Sequence, residues 1–98
     1  MAYRLSRKAE DDIRSIYVFS ARAFGVDQAE RYFEGLFETF EFLVRFPRAA
    51  RLRTELAHDS RAHPYKSHLI FYRLDGEDIF IQRIRHVSED WETSPASE

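Results

Sequence analysis

The 98-residue sequence contains no cysteine and has only three glycines and three prolines. Without cysteine the chain can form no disulfide, no thiolate metal site and no cysteine nucleophile. Three scattered glycines cannot build a glycine-rich phosphate loop, and no serine is flanked by the glycines of a nucleophile elbow. These absences argue against cysteine chemistry, glycine-rich nucleotide loops and esterase-type hydrolysis, and we expect no cofactor.

The sequence also lacks a run of about eighteen apolar residues, and its first ten residues, MAYRLSRKAE, lack the apolar core of a signal peptide. We therefore expect a soluble protein of the cytoplasm with no membrane partner. The formal net charge of −2 argues against broad binding to nucleic-acid backbones. Nine basic and five acidic residues lie from Val44 to His86, whereas an acidic end begins at Glu89. An ordinary solvated surface and a partner-binding surface both fit this asymmetry.

Three histidines, His58, His63 and His68, lie close together in the sequence. Their spacing matches no established metal-ligand pattern, and no acidic residue or cysteine completes a tetrahedral set. We therefore expect no metal site.

The first long segment has the three-to-four-residue apolar spacing of an amphipathic helix. We predict this helix from about Arg7 to Ala23, with Ser6 as its N-cap and Gly25 at its end. Asp27 and Glu30 resemble a capping box at the start of a second helix, so that the two helices form a hairpin.

The second helix carries the strongest apolar stripe and ends before Pro47. Phe42 lies roughly opposite Phe33 on this helix, away from the stripe. Either Phe42 contacts a partner, or the stretch from Arg48 to Ala57 folds back and covers it. The stripe consists of Ala29, Tyr32, Phe33, Leu36, Phe37, Phe40, Leu43 and Val44.

The remaining apolar segments have the composition and length of β-strands. A brief strand is predicted from Ala2 to Leu5, and three more over Ser60–Tyr65, His68–Leu74 and Ile79–Ile84. Asp75-Gly76 is a turn dipeptide typical of a tight antiparallel hairpin. The sequence thus predicts an α+β domain of order β-α-α-β-β-β, with a helical hairpin packed on a small, mostly antiparallel sheet. We expect one domain over residues 1–92 and a disordered tail over 93–98.

This order and several local strings resemble the ParE toxins of the ParE/RelE superfamily over about residues 3–91. The resemblance implies a RelE/ParE-like fold and the toxin of a type II toxin–antitoxin system. It further implies a non-enzymatic protein that inhibits DNA gyrase and is neutralised by a ParD-like antitoxin in a hetero-oligomer. The strings are YRLS from Tyr3, AEDDI from Ala9, Phe24-Gly25 with QAE from Gln28, Phe46-Pro47, PYKSHLIFYR from Pro64 and RIRH from Arg83.

The sister branch, which resembles RelE, suggests an alternative function as a ribosome-dependent endoribonuclease of messenger RNA. That chemistry needs a base, a phosphate-binding cation and an acid, and the candidates here are Arg61, Arg83 and His86. Strand alternation turns Arg83 and Arg85 to one face and His86 to the other, which separates the proton carrier from the nearest cations. The paired lysines typical of RelE are also missing. The residues therefore favour an inhibitory binder without a catalytic site.

Two binding surfaces are predicted for such a protein. An antitoxin helix needs an apolar groove rimmed by arginine, for which we select Phe42, Arg61 and Arg73. The surface for the target is placed at the end of the last strand and comprises Arg83, Arg85, His86 and Trp91. Trp91 has a second interpretation, in which its ring attaches the C-terminus to the core.

A third hypothesis is a non-toxic orphan that acts only as part of a repressor complex with its antitoxin. The polar side of the second helix is acidic, which is unsuitable for a recognition helix. We therefore expect no sequence-specific DNA binding by this chain alone. The acidic residues are Glu30, Glu34, Glu38 and Glu41.

Overall fold

The computed structural model of the chain describes residues 2–52 and 60–88. Within these residues, two helices and four strands follow one another in the order β-α-α-β-β-β, which confirms the predicted α+β architecture. Trp91 and the predicted tail over 93–98 lie outside the described residues. The elements are β1 (Tyr3–Leu5), α1 (Arg7–Phe24), α2 (Val26–Arg45), β2 (Arg61–Tyr65), β3 (His68–Asp75) and β4 (Asp78–His86).

The four strands form one sheet with the spatial order β1-β4-β3-β2. Strands β2, β3 and β4 pair antiparallel in sequence order, while β1 pairs parallel with β4, so the sheet is mostly antiparallel as predicted. Asp75 pairs with Asp78 across the tight β3–β4 turn, and Gly76 there has a φ of 64°. Glycine suits this position because a Cβ atom disfavours positive φ.

Ser6 joins the first helix to the sheet. Its hydroxyl oxygen accepts a hydrogen bond from the Ala9 backbone N–H at 2.9 Å, which confirms the predicted N-cap. The same hydroxyl donates to the Gln82 carbonyl of β4 at 2.7 Å, and Ser6 is buried. The chain therefore enters α1 directly across the middle of β4.

The predicted capping box at Asp27 and Glu30 is wrong. Helix α2 already begins at Val26, its N-cap is Gly25 with a φ of 94°, and no side chain caps it. Gly25 also ends α1, where its N–H donates to the Ala21 carbonyl at 3.0 Å. One glycine with a positive φ thus forms the whole connection between the helices, and Asp27 falls inside the first turn of α2.

A β-bulge interrupts the β3–β4 pairing. Phe71 pairs with Arg83, but the next residue, Tyr72, pairs with Ile81, which leaves Gln82 as the extra residue of β4. Gln82 is buried, and its side-chain oxygen accepts a hydrogen bond from the Ser60 hydroxyl at 2.7 Å. Because of the bulge, the core-facing positions of β4 change from odd to even numbers after Ile81.

The main core lies between the helices and one face of the sheet. The opposite face of the sheet carries a second, smaller cluster around the buried ring of Phe71, with Ala62 and Leu69 against it. Neither α1 nor α2, the helices of the described residues, has a stretch apolar enough to cross a membrane. The main core comprises Ala9, Phe33, Leu36, Phe40, Leu43, Val44, Ala50, Ile70, Tyr72, Ile79, Ile81 and Ile84.

Gly35 allows Tyr65 of β2 to pack against the middle of α2. The Tyr65 hydroxyl donates to the Tyr32 carbonyl at 2.7 Å. A Cβ atom added at Gly35 would overlap the Tyr65 hydroxyl oxygen and lie 3.1 Å from Tyr65 Cζ. The glycine therefore serves a close contact between α2 and β2, at the expense of helix propensity.

We predict that Gly35→Ala lowers the free energy of unfolding by about 1–3 kcal/mol, because overpacking outweighs the gain of about 1 kcal/mol in helix propensity. Urea denaturation of the purified protein measures this. The matched control is the same change in a Tyr65→Phe background, where the overlapping oxygen is gone and the loss should be smaller. An equal loss in both backgrounds, or a gain in the first, would contradict this contact.

Candidate functional site

Arg83, a predicted target-binding residue, is held by a carboxylate of α1. Its Nε and Nη2 donate to the two oxygens of Asp12 at 2.8 and 3.0 Å. The Ile84 backbone N–H donates to Asp12 Oδ2 at 2.9 Å, immediately after the bulge. The Arg83 and Asp12 side chains are only 18% and 15% exposed to solvent. Such a bidentate, shielded pair fixes the arginine in place.

His86, also predicted to contact the target, lies at the exposed end of β4. Its Nδ1 is 2.7 Å from the Ser88 hydroxyl and accepts the Ser88 backbone N–H at 3.1 Å. Because Nδ1 accepts, the neutral ring carries its proton on Nε2.

The three candidates for RNA cleavage do not come together. Arg61 donates from Nη1 to the Ala50 carbonyl at 2.8 Å and lies on β2, which is separated from β4 by β3. Two strand spacings are about 10 Å, so Arg61 cannot share a phosphate with His86 without rearrangement. Arg83 is bound by Asp12, and the register places it opposite Phe71, while His86 is opposite His68. Arg83 and His86 therefore belong to opposite faces of the sheet, as alternation predicted.

The residues selected for antitoxin binding lie on both faces of the sheet. Phe42 is 41% exposed, and its ring lies 5.3 Å from that of Phe46 and 5.7 Å from the imidazole of His63. Arg61 is on the same side of β2 as His63. Arg73 instead lies on the face opposite the helices, with its guanidinium 4.8 Å from the Phe80 ring centroid. The antitoxin site predicted from the sequence is thus divided by the sheet.

Burial lowers the pKa of His63 below its ordinary value of 6.5. The imidazole packs against Phe42 on one side and belongs to the partly covered strand β2. A neutral ring is therefore favoured in the folded protein, which suits a mainly apolar aromatic patch. We call the group formed by Phe42, Phe46 and His63 the aromatic patch.

A pocket of about 740 Å³ opens where the two helices meet the ends of β3 and β4. The Tyr32 hydroxyl is hydrogen-bonded to Nδ1 of His68, and burial raises the pKa of Tyr32. The His68 and His86 rings are 5.4 Å apart. Lys66 Nζ lies 5.6 Å from the centroids of both the Tyr32 and Tyr65 rings. Of these residues, only His86 was selected from the sequence for binding.

The fold defines a class of small α+β proteins, and sequence similarity identifies the family within it. The family described as "ParE toxin of type II toxin-antitoxin system, parDE" matches residues 3–91. The chain is 35% identical over 86 residues to Toxin ParE1 of Caulobacter vibrioides, with 88% of each chain covered. It is 33% identical over 89 residues to Toxin ParE1 of Mycobacterium tuberculosis, covering 90% of this chain and 91% of that one.

A solved structure described as the chromosomal ParDE TA system from P. aeruginosa has the same fold. It superimposes with a TM-score of 0.76 and 24% identity, and covers 90% of this chain and 97% of the other. The chain belongs to the ParE toxins of type II toxin–antitoxin systems.

We predict that Asp12→Ala lowers the free energy of unfolding by about 2–3 kcal/mol, because it leaves the shielded Arg83 guanidinium and the Ile84 N–H without their acceptor. Asp11→Ala is the matched control. Asp11 pairs with Arg14 at 2.9 Å, but both side chains are more than half exposed, so its loss should cost less than about 0.5 kcal/mol. Equal losses in guanidinium denaturation would contradict the role of Asp12.

A pH prediction follows from His63. The pKa of His63 is lowered in the folded state, so the unfolded chain binds a proton on this ring more readily than the folded protein does. The stability that the neutral, buried His63 contributes is therefore fully present above about pH 6.5 and is lost as the pH falls below that value. The wild type should therefore lose stability relative to His63→Gln as the pH falls from about 7.5 to about 5. Urea midpoints measured at each pH test this, and parallel curves for the two proteins would contradict it.

Proposed function

We propose that this ParE-family toxin acts by binding and inhibiting DNA gyrase, without catalysis, and that a ParD-like antitoxin neutralises it in a cytoplasmic hetero-oligomer. The placement of the arginine side chains supports action without catalysis. Asp12 engages Arg83 through two hydrogen bonds, and Arg61 lies two strands away from β4. A phosphate would have to displace a shielded carboxylate to reach Arg83, which opposes a ribonuclease site.

The proposed antitoxin surface extends over both faces of the sheet around β2. Phe42 and Arg61 lie on the helix side, and Arg73 lies on the other side, so a partner that contacts all three must pass around the β2 edge of the sheet. A chain that folds on binding can wrap in this way. The aromatic patch supplies apolar area, and the arginines supply positive charge for an acidic partner.

The proposed target surface is the end of β4 and the residues after it. Arg85 pairs with Leu69 in the sheet register, and His86 is exposed at the last position of the strand. Arg83 serves mainly to hold this end against α1. We assign the direct contact to Arg85, His86 and Trp91, of which Trp91 lies outside the described residues.

The gyrase proposal is tested by adding the purified full-length protein to a supercoiling assay with gyrase and to a translation mixture with intact messenger RNA. Supercoiling should stop while the messenger RNA stays intact. Arg85→Glu should raise the inhibitory concentration about tenfold, whereas Arg7→Glu, at the start of α1, should not. Transcript cleavage would favour the ribonuclease alternative, and no effect in either assay would favour a non-toxic orphan.

The antitoxin surface is tested by measuring the affinity for the cognate antitoxin. If the antitoxin wraps around β2, Phe42→Ala and Arg73→Glu should each weaken binding about tenfold or more, although they lie on opposite faces. Arg7→Glu again serves as the control, and melting temperatures confirm that the variants fold. Unchanged binding by either Phe42→Ala or Arg73→Glu would contradict wrapping.

A further inference from the structure

The pocket between the helical hairpin and the ends of β3 and β4 plays no part in the function proposed above, apart from His86 at its rim. It measures about 740 Å³, which is within the range of small-molecule sites. Its walls come from α1, α2, the β2–β3 turn and the end of β4. The first residue of β3, His68, also lines it, so that both helices and the end of the β-sheet converge on one cavity.

Within the described ranges, the charged side chains that line the pocket are all positive. Arg31 and Lys66 contribute permanent positive charge, and His68 and His86 contribute imidazoles. None of the described residues that line the cavity is Asp or Glu. This contrasts with the acidic polar side of α2 as a whole, and it fits an anionic ligand. Hydroxyl groups of Tyr32 and Ser67 add neutral hydrogen-bonding groups at the same wall.

Helix α1 contributes two aromatic side chains to the pocket. Phe19 and Phe24 are 66% and 60% exposed, although phenylalanine usually lies in the interior. Ile16 lies beside them and packs toward the core. The exposed rings could cover a flat, apolar group of a ligand, while the cationic side chains of the same pocket neutralise an anionic group of that ligand.

Lys66 occupies a backbone position that usually belongs to glycine. Its φ is 53°, and among the described residues it is the only one besides glycine with a positive φ. The β3–β4 turn of the same sheet meets this need with Gly76 at 64°. The β2–β3 turn thus has a disfavoured backbone conformation at the residue whose long cationic side chain lines the pocket.

We propose that this pocket binds a nucleoside phosphate. The phosphate lies against Arg31 and Lys66, and the base lies against Phe19 and Phe24. The ligand is either a free mononucleotide or the phosphorylated end of a nucleic-acid strand, since both present the same chemistry. This binding involves no bond cleavage, needs no glycine-rich loop, and does not depend on gyrase inhibition or on the antitoxin.

The test is a titration of the full-length protein, labelled with nitrogen-15, with adenosine 5′-monophosphate. Saturable shifts of the backbone amides of Lys66, Ser67 and His68 are expected. Adenosine should bind at least about tenfold more weakly than adenosine 5′-monophosphate, because it lacks the phosphate. A second arm uses a tetranucleotide with and without a terminal phosphate. Binding of only the phosphorylated tetranucleotide would assign the strand end as the ligand.

Two variants make the test specific. Lys66→Asn removes the charge but keeps a residue that tolerates positive φ, and it should weaken nucleotide binding about tenfold. Arg45→Gln is the matched control, because it removes one positive charge at the other end of α2, about 20 Å from Arg31. The proposal is overturned if no phosphorylated probe binds, if adenosine binds as tightly as its phosphate, or if Lys66→Asn binds like the wild type.

Discussion

The structure depends on the joint between α1 and the middle of β4. Strand β1 covers β4 only as far as Ile81, and the chain then turns into α1 through Ser6, whose hydroxyl bonds to the Gln82 carbonyl. Six residues later, Asp12 accepts a hydrogen bond from the Ile84 N–H, which lies beyond the end of the β1 pairing. The carboxylate thereby replaces a missing strand partner, because a backbone donor at this partly buried edge needs an acceptor. The Arg83 guanidinium neutralises that carboxylate.

This joint constrains what the surface can do. Arg83 is engaged in the ion pair with Asp12, so it has a structural role. The bulge at Gln82 places the Ile84 side chain in the core and brings His86 opposite His68. The cations that a ribonuclease would need are consequently distributed over different faces and strands. The imidazoles of His68 and His86 lie instead at the end of the sheet, in the same pocket as Lys66 and Arg31, and the described residues that line this pocket include no carboxylate. With the β-bulge at Gln82, Arg83 has a structural role, whereas His86 lines the pocket together with Arg31 and Lys66.

Much of the fold followed from the sequence because its signals are local. Apolar spacing identified both helices to within two residues, Ser6 was recognised as a cap, and Asp75-Gly76 set the last hairpin. The pocket did not follow, because it depends on the bulge. A regular hairpin closed by Asp75 and Asp78 would pair His68 with Arg85, and only the extra residue brings His68 opposite His86. Strand alternation places Arg61 and Arg73 on opposite faces of the sheet, but only when the register that pairs Arg61 with Tyr72 is known.

The most direct test of this account is a double-mutant cycle on Asp12 and Arg83, using Asp12→Asn, Arg83→Gln and the double variant in equilibrium unfolding. If the pair forms the joint described, the coupling free energy should be about 1–3 kcal/mol in favour of the wild-type pair. A coupling near zero would mean that Arg83 does not depend on Asp12. In that case the arginine would be available to bind phosphate, and the argument for a non-catalytic toxin would lose its basis.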